Sequence, residues 1–224
     1  MINLPNLTFL IVDCLNLDRA INTLNFCNKK ILFYESKVLT NLENAKVKNS
    51  LVKIREINSK KDFSYFCMKE LNDYFKTDYV LIGQYDGYIL HEDMWDDEFL
   101  DYDYIGAPWP WKTDGFVTPF GEHISVGNGG FSLRSKKLLE VPSKVEIPFD
   151  VVSMNDFYKM FGAINWNEDG NICVHNRHIF EKQGCKFAPV EVAKYFSHES
   201  PLDINKGIVP FGFHGNLPST IELI

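Results

Sequence analysis

The chain has 224 residues, 45% hydrophobic and 14% aromatic, which is enough apolar surface for one sizeable core and unlike a disordered or fibrous chain. With 30 acidic against 23 basic side chains its formal net charge is -7, so there is no general electrostatic attraction to nucleic acid or to an anionic membrane. Its five cysteines, Cys14, Cys27, Cys67, Cys173 and Cys185, are scattered and form no C-x-x-C pair, which argues against a zinc knuckle or disulfide framework and for small core residues in a reducing compartment.

The N-terminal run, MINLPNLTFLIV, lacks a cationic lead and stops at Asp13, and no run approaches the ~20 apolar residues of a membrane span. The expected location is cytoplasmic, with any membrane association peripheral. Thr8 to Val12 predicts a buried strand, and Leu17, Ile21, Leu24 and Phe26 or Cys27 mark the apolar face of a helix. A second strand is expected at Ile31 to Tyr34, a third at Leu51 to Ile57, and an amphipathic helix over Lys61 to Lys76. The run at Tyr79 is the next strand. This alternation predicts an α/β fold with a single, Rossmann-like, mostly parallel central sheet flanked by helices, over one domain spanning residues 1–224. The C-terminal half is loop-rich, with short strands expected at Tyr104 to Ala107 and Gly130 to Arg134 and helices near Ser153 to Phe161 and Asn171 to Gln183. Ligands of such sheets bind beyond the carboxyl ends of the strands, where Asp13, Ser36 and Asp86 are expected.

Within YVLIGQYDGYIL, residues 79–90, a carboxylate interrupts an apolar run. Asp86 either closes an Asp-Gly turn or ligates a hard divalent cation beside a nucleotide's phosphates, with Gly87 leaving room for the ligand. A literal D-x-D lies at Asp101-Tyr102-Asp103, but it precedes a strand, and an acidic surface turn with Phe99 and Leu100 facing inward accounts for it. In VGNGGFSLRS, residues 126–135, three glycines permit positive φ and close approach of a ligand to backbone N–H groups. GAPWPW, residues 106–111, holds Trp109 and Trp111 in extended backbone, where their rings could stack on sugars or pack internally. Glu168 and Asp169 in NWNEDG either cap a helix or present a rigidly held general base. His214 in FGFHG is uninformative alone.

Taken in order, QYD at 84–86, GNGGFSLRS at 127–135, NED at 167–169 and FHG at 213–215 resemble the D-x-D motif, glycine loop, x-E-D motif and C-terminal histidine of GT-A-fold glycosyltransferases. YIGAPW with VGNGGFSLRS further resembles a bacterial and viral domain family of unassigned function that is itself similar to these enzymes. The resemblance implies transfer of a sugar from a nucleotide-diphosphate sugar to a hydroxyl of a glycan or lipid-linked acceptor, with inversion, in surface polysaccharide or lipopolysaccharide synthesis. By position it implies Asp86 and His214 as ligands of Mn²⁺ or Mg²⁺, Asp169 as base beside Glu168, donor contacts from Asp13, Ser36, Gln84, Asp86, Gly129 and Gly130, and acceptor contacts from Trp109, Trp111 and Asn128. Gln84 stands where the motif has Asp, so one negative charge for the metal is missing. Two other functions are compatible with these residues: a non-catalytic carbohydrate-binding module using the tryptophans and the glycine loop, and a sugar nucleotidyltransferase. The second lacks an early glycine-rich loop with a Lys or Arg, having DCLNLD at 13–18 instead.

Overall fold

The computed structural model describes residues 1–110, 116–149 and 167–215; Trp111 and the helix expected near Ser153 to Phe161 lie outside them. Strand β1 (Ile2–Val12) is central because both of its faces are apolar. Phe9 and Ile11 pack on one side with helix α1 (Leu17–Asn28), through Ala20, Ile21, Leu24 and Cys27. Leu10 and Val12 pack on the other with α2 (Lys60–Lys69) and α3 (Lys136–Lys144), through Phe66, Cys67, Leu138 and Leu139. Each of these helices starts on a side-chain cap, Asn16, Ser59 or Ser135, which satisfies an otherwise orphaned N–H.

Six strands form the main sheet in the order β3-β2-β1-β4-β9-β6. Strands β2 (Ile31–Thr40), β1, β3 (Leu51–Lys53) and β4 (Tyr79–Gly83) run parallel, and β9 (Phe131–Ser135) is antiparallel to both β4 and β6 (Tyr104–Ile105). The expectation of a mostly parallel sheet covered on both faces therefore holds.

Beyond β4 the chain turns through Gln84, Tyr85 and Asp86 into β5 (Gly87–Ile89). There β5 pairs antiparallel with β11 (Gly212–His214), setting His214 opposite Gly87, and β11 pairs parallel with β10 (Ser197–His198). This small sheet brings the tail of the chain to the end of β4. Between the two sheets Phe99, Phe131, Phe196 and Phe211 contact one another. A two-stranded ribbon, β7 (Ala107–Pro108) with β8 (Val126–Gly127), precedes the glycine loop.

Several boundaries differ from the sequence expectation. Strand β2 runs on to Thr40 because its second half is paired on both sides, by β1 and β3. The helix expected to reach Lys76 leaves helical geometry at Glu70 and finishes in a 3-10 turn, Leu71–Tyr74. The helix expected from Asn171 is a short turn (Glu168–Gly170), a π-helical turn (Asn171–His175) and, after a break at Asn176, helix α4 (Arg177–Lys182). Helix α5 (Val190–Phe196) leads into β10.

Candidate active site

A cavity of about 500 Å³ lies where the C-terminal ends of β1 and β4 meet the glycine loop, the Glu168–Gly170 turn and His214. Its lining includes Asp13, Gln84, Asn128, Gly129, Gly130, Glu168, Asp169 and His214, eight of the residues singled out from sequence. Asp86 adjoins it through His214, whose Nε2 lies 3.4 Å from Asp86 Oδ1.

The glycine loop works through space, not through unusual dihedral angles. Gly127, Gly129 and Gly130 keep negative φ, and the only non-glycine with positive φ among the described residues is Asn128, at 76°. A Cβ on Gly129 would stand 1.9 Å from Glu168 Oε1, and one on Gly130 would stand 2.0 Å from His214 Nε2. The glycines thus let a carboxylate and an imidazole close onto the loop. Its N–H groups, expected to be free for a ligand, are taken: Gly129 N–H donates to Asp169 Oδ2 (3.0 Å), and Gly130 and Phe131 N–H donate to Asn128 Oδ1 (2.7 and 3.3 Å). Gly87 likewise clears space for the Gly130 carbonyl, which its Cβ would approach to 2.4 Å, and not for a ligand.

Two carboxylates of opposite environment stand side by side on the Glu168–Gly170 turn. Glu168 is buried and faces Arg134, itself fully buried on β9, at 3.4 Å. Asp169 has no cationic partner among the described residues; its oxygens accept from Gly129 and Gly170 N–H. Burial, followed by the neighbouring charge of Glu168, raises its pKa to about 7, despite those two hydrogen bonds. A carboxylate that ionises near neutrality on a fixed backbone can accept a proton from a bound hydroxyl.

His214 is held between two carboxylates, with Nδ1 3.1 Å from Glu199 Oε1 and Nε2 beside Asp86. Burial works against charge on the ring, but the two carboxylates outweigh it and raise the pKa to about 9. For Asp86 burial opposes ionisation, and His214 overcomes it, holding the carboxyl below the usual carboxylate range. Among the described residues Asp86 Oδ1 is buried without a hydrogen-bond partner. That carboxylate oxygen and the imidazole nitrogen facing it fit two neighbouring ligands of one hard cation once metal binding has displaced the Nε2 proton of the ring. Among the described residues no group of three such side chains forms a ready-made metal cluster.

Some expectations are overturned. Ser36 lies inside β2 opposite Phe9, four residues short of the strand's end, and does not line the cavity. Trp109 is not a stacking platform: it is 5% exposed, stacked on Phe116 at 4.2 Å, and fills the space over Gly127. Asp13 lines the cavity, yet its oxygens accept from Leu15 and Asn16 N–H and from Arg19 Nε, so its immediate work is to shape the loop after β1. Asn128 bridges the loop and His214, with Nδ2 3.2 Å from Nδ1. Arg19, Tyr85, Glu199 and Arg134 were not singled out from the sequence: Arg134 and Glu199 meet Glu168 and His214 from 34 and 15 residues away, and the stacking of Arg19 on the Tyr85 ring joins two otherwise ordinary surface residues.

This sheet, with its strand-end cavity, is a GT-A-like α/β fold. It is similar to the solved structure of the galactosyltransferase LgtC in complex with donor and acceptor sugar analogs, with a TM-score of 0.53 and 14% identity over 95% of this chain and 88% of that one. The solved structure of A197 from STIV matches more distantly, with a TM-score of 0.38 and 13% identity over 81% and 80% of the two chains. No curated protein matches the sequence. The chain belongs to the family described as a protein of unknown function (DUF5672), whose model matches residues 46–214. Among the described residues no helix is long and apolar enough to cross a membrane.

Proposed function

We propose that this chain is a glycosyltransferase that moves a sugar from a nucleotide-diphosphate sugar to a hydroxyl of a glycan or lipid-linked acceptor, with inversion, in assembly of a surface polysaccharide. The observation that carries the reading is Asp169: a half-buried carboxylate with no cationic partner among the described residues, pKa near neutrality, fixed by the glycine loop at the wall of the cavity. Glycosyl transfer passes through an oxocarbenium-like transition state. The acceptor oxygen forms its bond to the anomeric carbon, Asp169 takes the hydroxyl proton, and the bond to the diphosphate breaks with its electron pair leaving on the phosphate oxygen. Glu168, paired with Arg134, fixes the turn that carries Asp169.

Asp86 and His214 would hold Mn²⁺ or Mg²⁺, which when bound offsets the charge on the departing diphosphate. Gln84, at the cavity wall, can offer an amide oxygen or N–H₂ to the donor but no charge. Of the two tryptophans that a carbohydrate-binding module would use, Trp109 is buried and Trp111 lies outside the described residues.

The test is Asp169→Asn, assayed by donor hydrolysis, sugar transfer and nucleotide titration. Transfer falls about 10²- to 10⁴-fold, the span of a lost general base, while nucleotide affinity stays within about threefold. Loss of nucleotide binding instead would remove Asp169 from the base role.

A further inference from the structure

The cavity wall next to the QYD motif carries a cation that neither the motif pattern nor the proposed metal site uses. Arg19, on the first turns of α1, is fixed from two directions. Its Nε donates to Asp13 Oδ2 at 3.0 Å, and its guanidinium carbon lies 3.6 Å from the centroid of the Tyr85 ring. Tyr85 is the middle residue of QYD, and its own position is set by Thr23, whose hydroxyl donates to the Tyr85 carbonyl at 2.5 Å. Arg19 and Tyr85 both line the cavity, and the Arg19 side chain is 34% exposed. Among the described residues its Nη1 and Nη2 make no hydrogen bond.

A guanidinium pinned by its Nε edge and by one face, on a residue that lines a cavity and with its two terminal nitrogens unbonded among the described residues, is a pre-organised fork for phosphate. The same arrangement is more than a surface ion pair requires, since an exposed pair contributes only about 0–1 kcal/mol and gains little from a stacked ring. Arg19 also stands close enough to Asp86 to favour its ionised form. Cation and carboxylate therefore flank one patch of the cavity.

We propose that Arg19 is a diphosphate-binding residue of this site, its fork taking the phosphates of the donor and supplying positive charge beside them where Gln84, lacking the carboxylate's charge, leaves the site less able to hold a metal cation. The proposal rests on the donor-site reading above and deepens it: a nucleoside diphosphate is bound partly by the protein's own cation, with Asp13 and Tyr85 as positioning residues for Arg19. Binding should then survive removal of divalent metal in part, which a site relying on a metal alone would not allow.

The experiment is calorimetric titration of wild type, Arg19→Ala, Arg19→Lys and Tyr85→Leu with UDP, GDP and ADP, each in Mn²⁺ and in EDTA, with pyrophosphate and uridine, guanosine and adenosine as controls. Wild type is expected to keep measurable affinity for at least one diphosphate in EDTA. Arg19→Ala weakens that affinity about 10- to 100-fold in both conditions, the range of a lost charge-assisted bidentate contact, and leaves nucleoside binding unchanged. Arg19→Lys recovers only part of the loss, because a point charge replaces a fork. Tyr85→Leu, which keeps the carbonyl bonded by Thr23 and the Asp13 ion pair, costs about three- to tenfold, and serves as the readout if Arg19→Ala lowers the melting temperature. Unchanged diphosphate affinity in folded Arg19→Ala and in Tyr85→Leu would overturn the role of Arg19 and leave the donor site standing. A wild type that binds none of the diphosphates nor pyrophosphate would overturn both.

Discussion

Two acidic motifs lie fewer than twenty residues apart, and their surroundings differ in a way that separates structural from functional carboxylates. In DYD at 101–103, Asp103 is buried and fully employed. Ser135 Oγ donates to Oδ1 at 2.5 Å, while Lys186 N–H and Lys137 Nζ approach Oδ2 at 2.8 and 3.2 Å. These contacts tie the start of β6 to the end of β9 and to the segment before Ala188. In QYD at 84–86, Asp86 has an oxygen buried with no hydrogen-bond partner among the described residues, facing the imidazole of His214, which lines the cavity. The literal D-x-D is a staple, and the degenerate one is at the site. A buried carboxylate that leaves nothing unpaired stabilises the fold; one left partly unpaired costs stability and persists where a ligand completes it.

The largest separation between the two should come from stability. Asp103→Ala removes the acceptor shared by Ser135, Lys137 and Lys186 and strands buried donors, so it should lower unfolding stability by about 1–3 kcal/mol; the half-exposed Lys137 makes only a minor contribution. Chemical denaturation reads this directly. Nucleoside diphosphate affinity per folded molecule should stay within about twofold of wild type. An Asp103→Ala protein of wild-type stability would dissolve the contrast from the structural side.

A second separation is in pH. Asp169 titrates near neutrality, and the proposed base must be ionised to accept a proton. Below its pKa the proton already occupies the site, so transfer should rise about tenfold per unit through roughly pH 5.5–6.5 and level off above 7. A flat kcat/KM profile between pH 5.5 and 8 would exclude Asp169 as the titrating base.

How far these differences could be read from sequence follows the range of the contacts. The central strands, α1 and the turn after β4 are local patterns, and continuous or periodic apolar runs announced them. QYD, the glycine loop, NED and the tail histidine were visible as an ordered set. What decides their chemistry was not. Glu199 meets His214 only because β10 pairs with β11, and that two-residue pairing has no signal in the chain. Arg134 sits in FSLRS, where a charge in a short strand suggests an exposed face, yet it is fully buried against Glu168. Trp109, flanked by Pro and Gly, has the local look of a binding loop, and only its stack on Phe116 over Gly127 makes it core. Ser36 was placed at a strand end because the polar residues of β2 hide its second half, which the pairing with β3 keeps extended.

The smallest expected effect bears most directly on the orphaned oxygen. Asp86→Ala removes one of the two carboxylates on His214 and one proposed cation ligand, so nucleoside diphosphate affinity in Mn²⁺ should fall about tenfold, the order of a lost charged contact. In EDTA the same variant should lose little, because there the phosphates meet Arg19 and not a metal held by Asp86. Stability should change by less than about 1 kcal/mol, since Asp86 is itself held against a burial cost and Glu199 remains on the other ring nitrogen. The pattern is the reverse of the one expected for Asp103→Ala, ligand affinity without stability against stability without affinity. Titration in Mn²⁺ beside denaturation of the same sample decides it: a tenfold loss confined to the metal condition keeps Asp86 as a cation ligand, and equal affinity with and without Mn²⁺ in wild type and variant alike removes it.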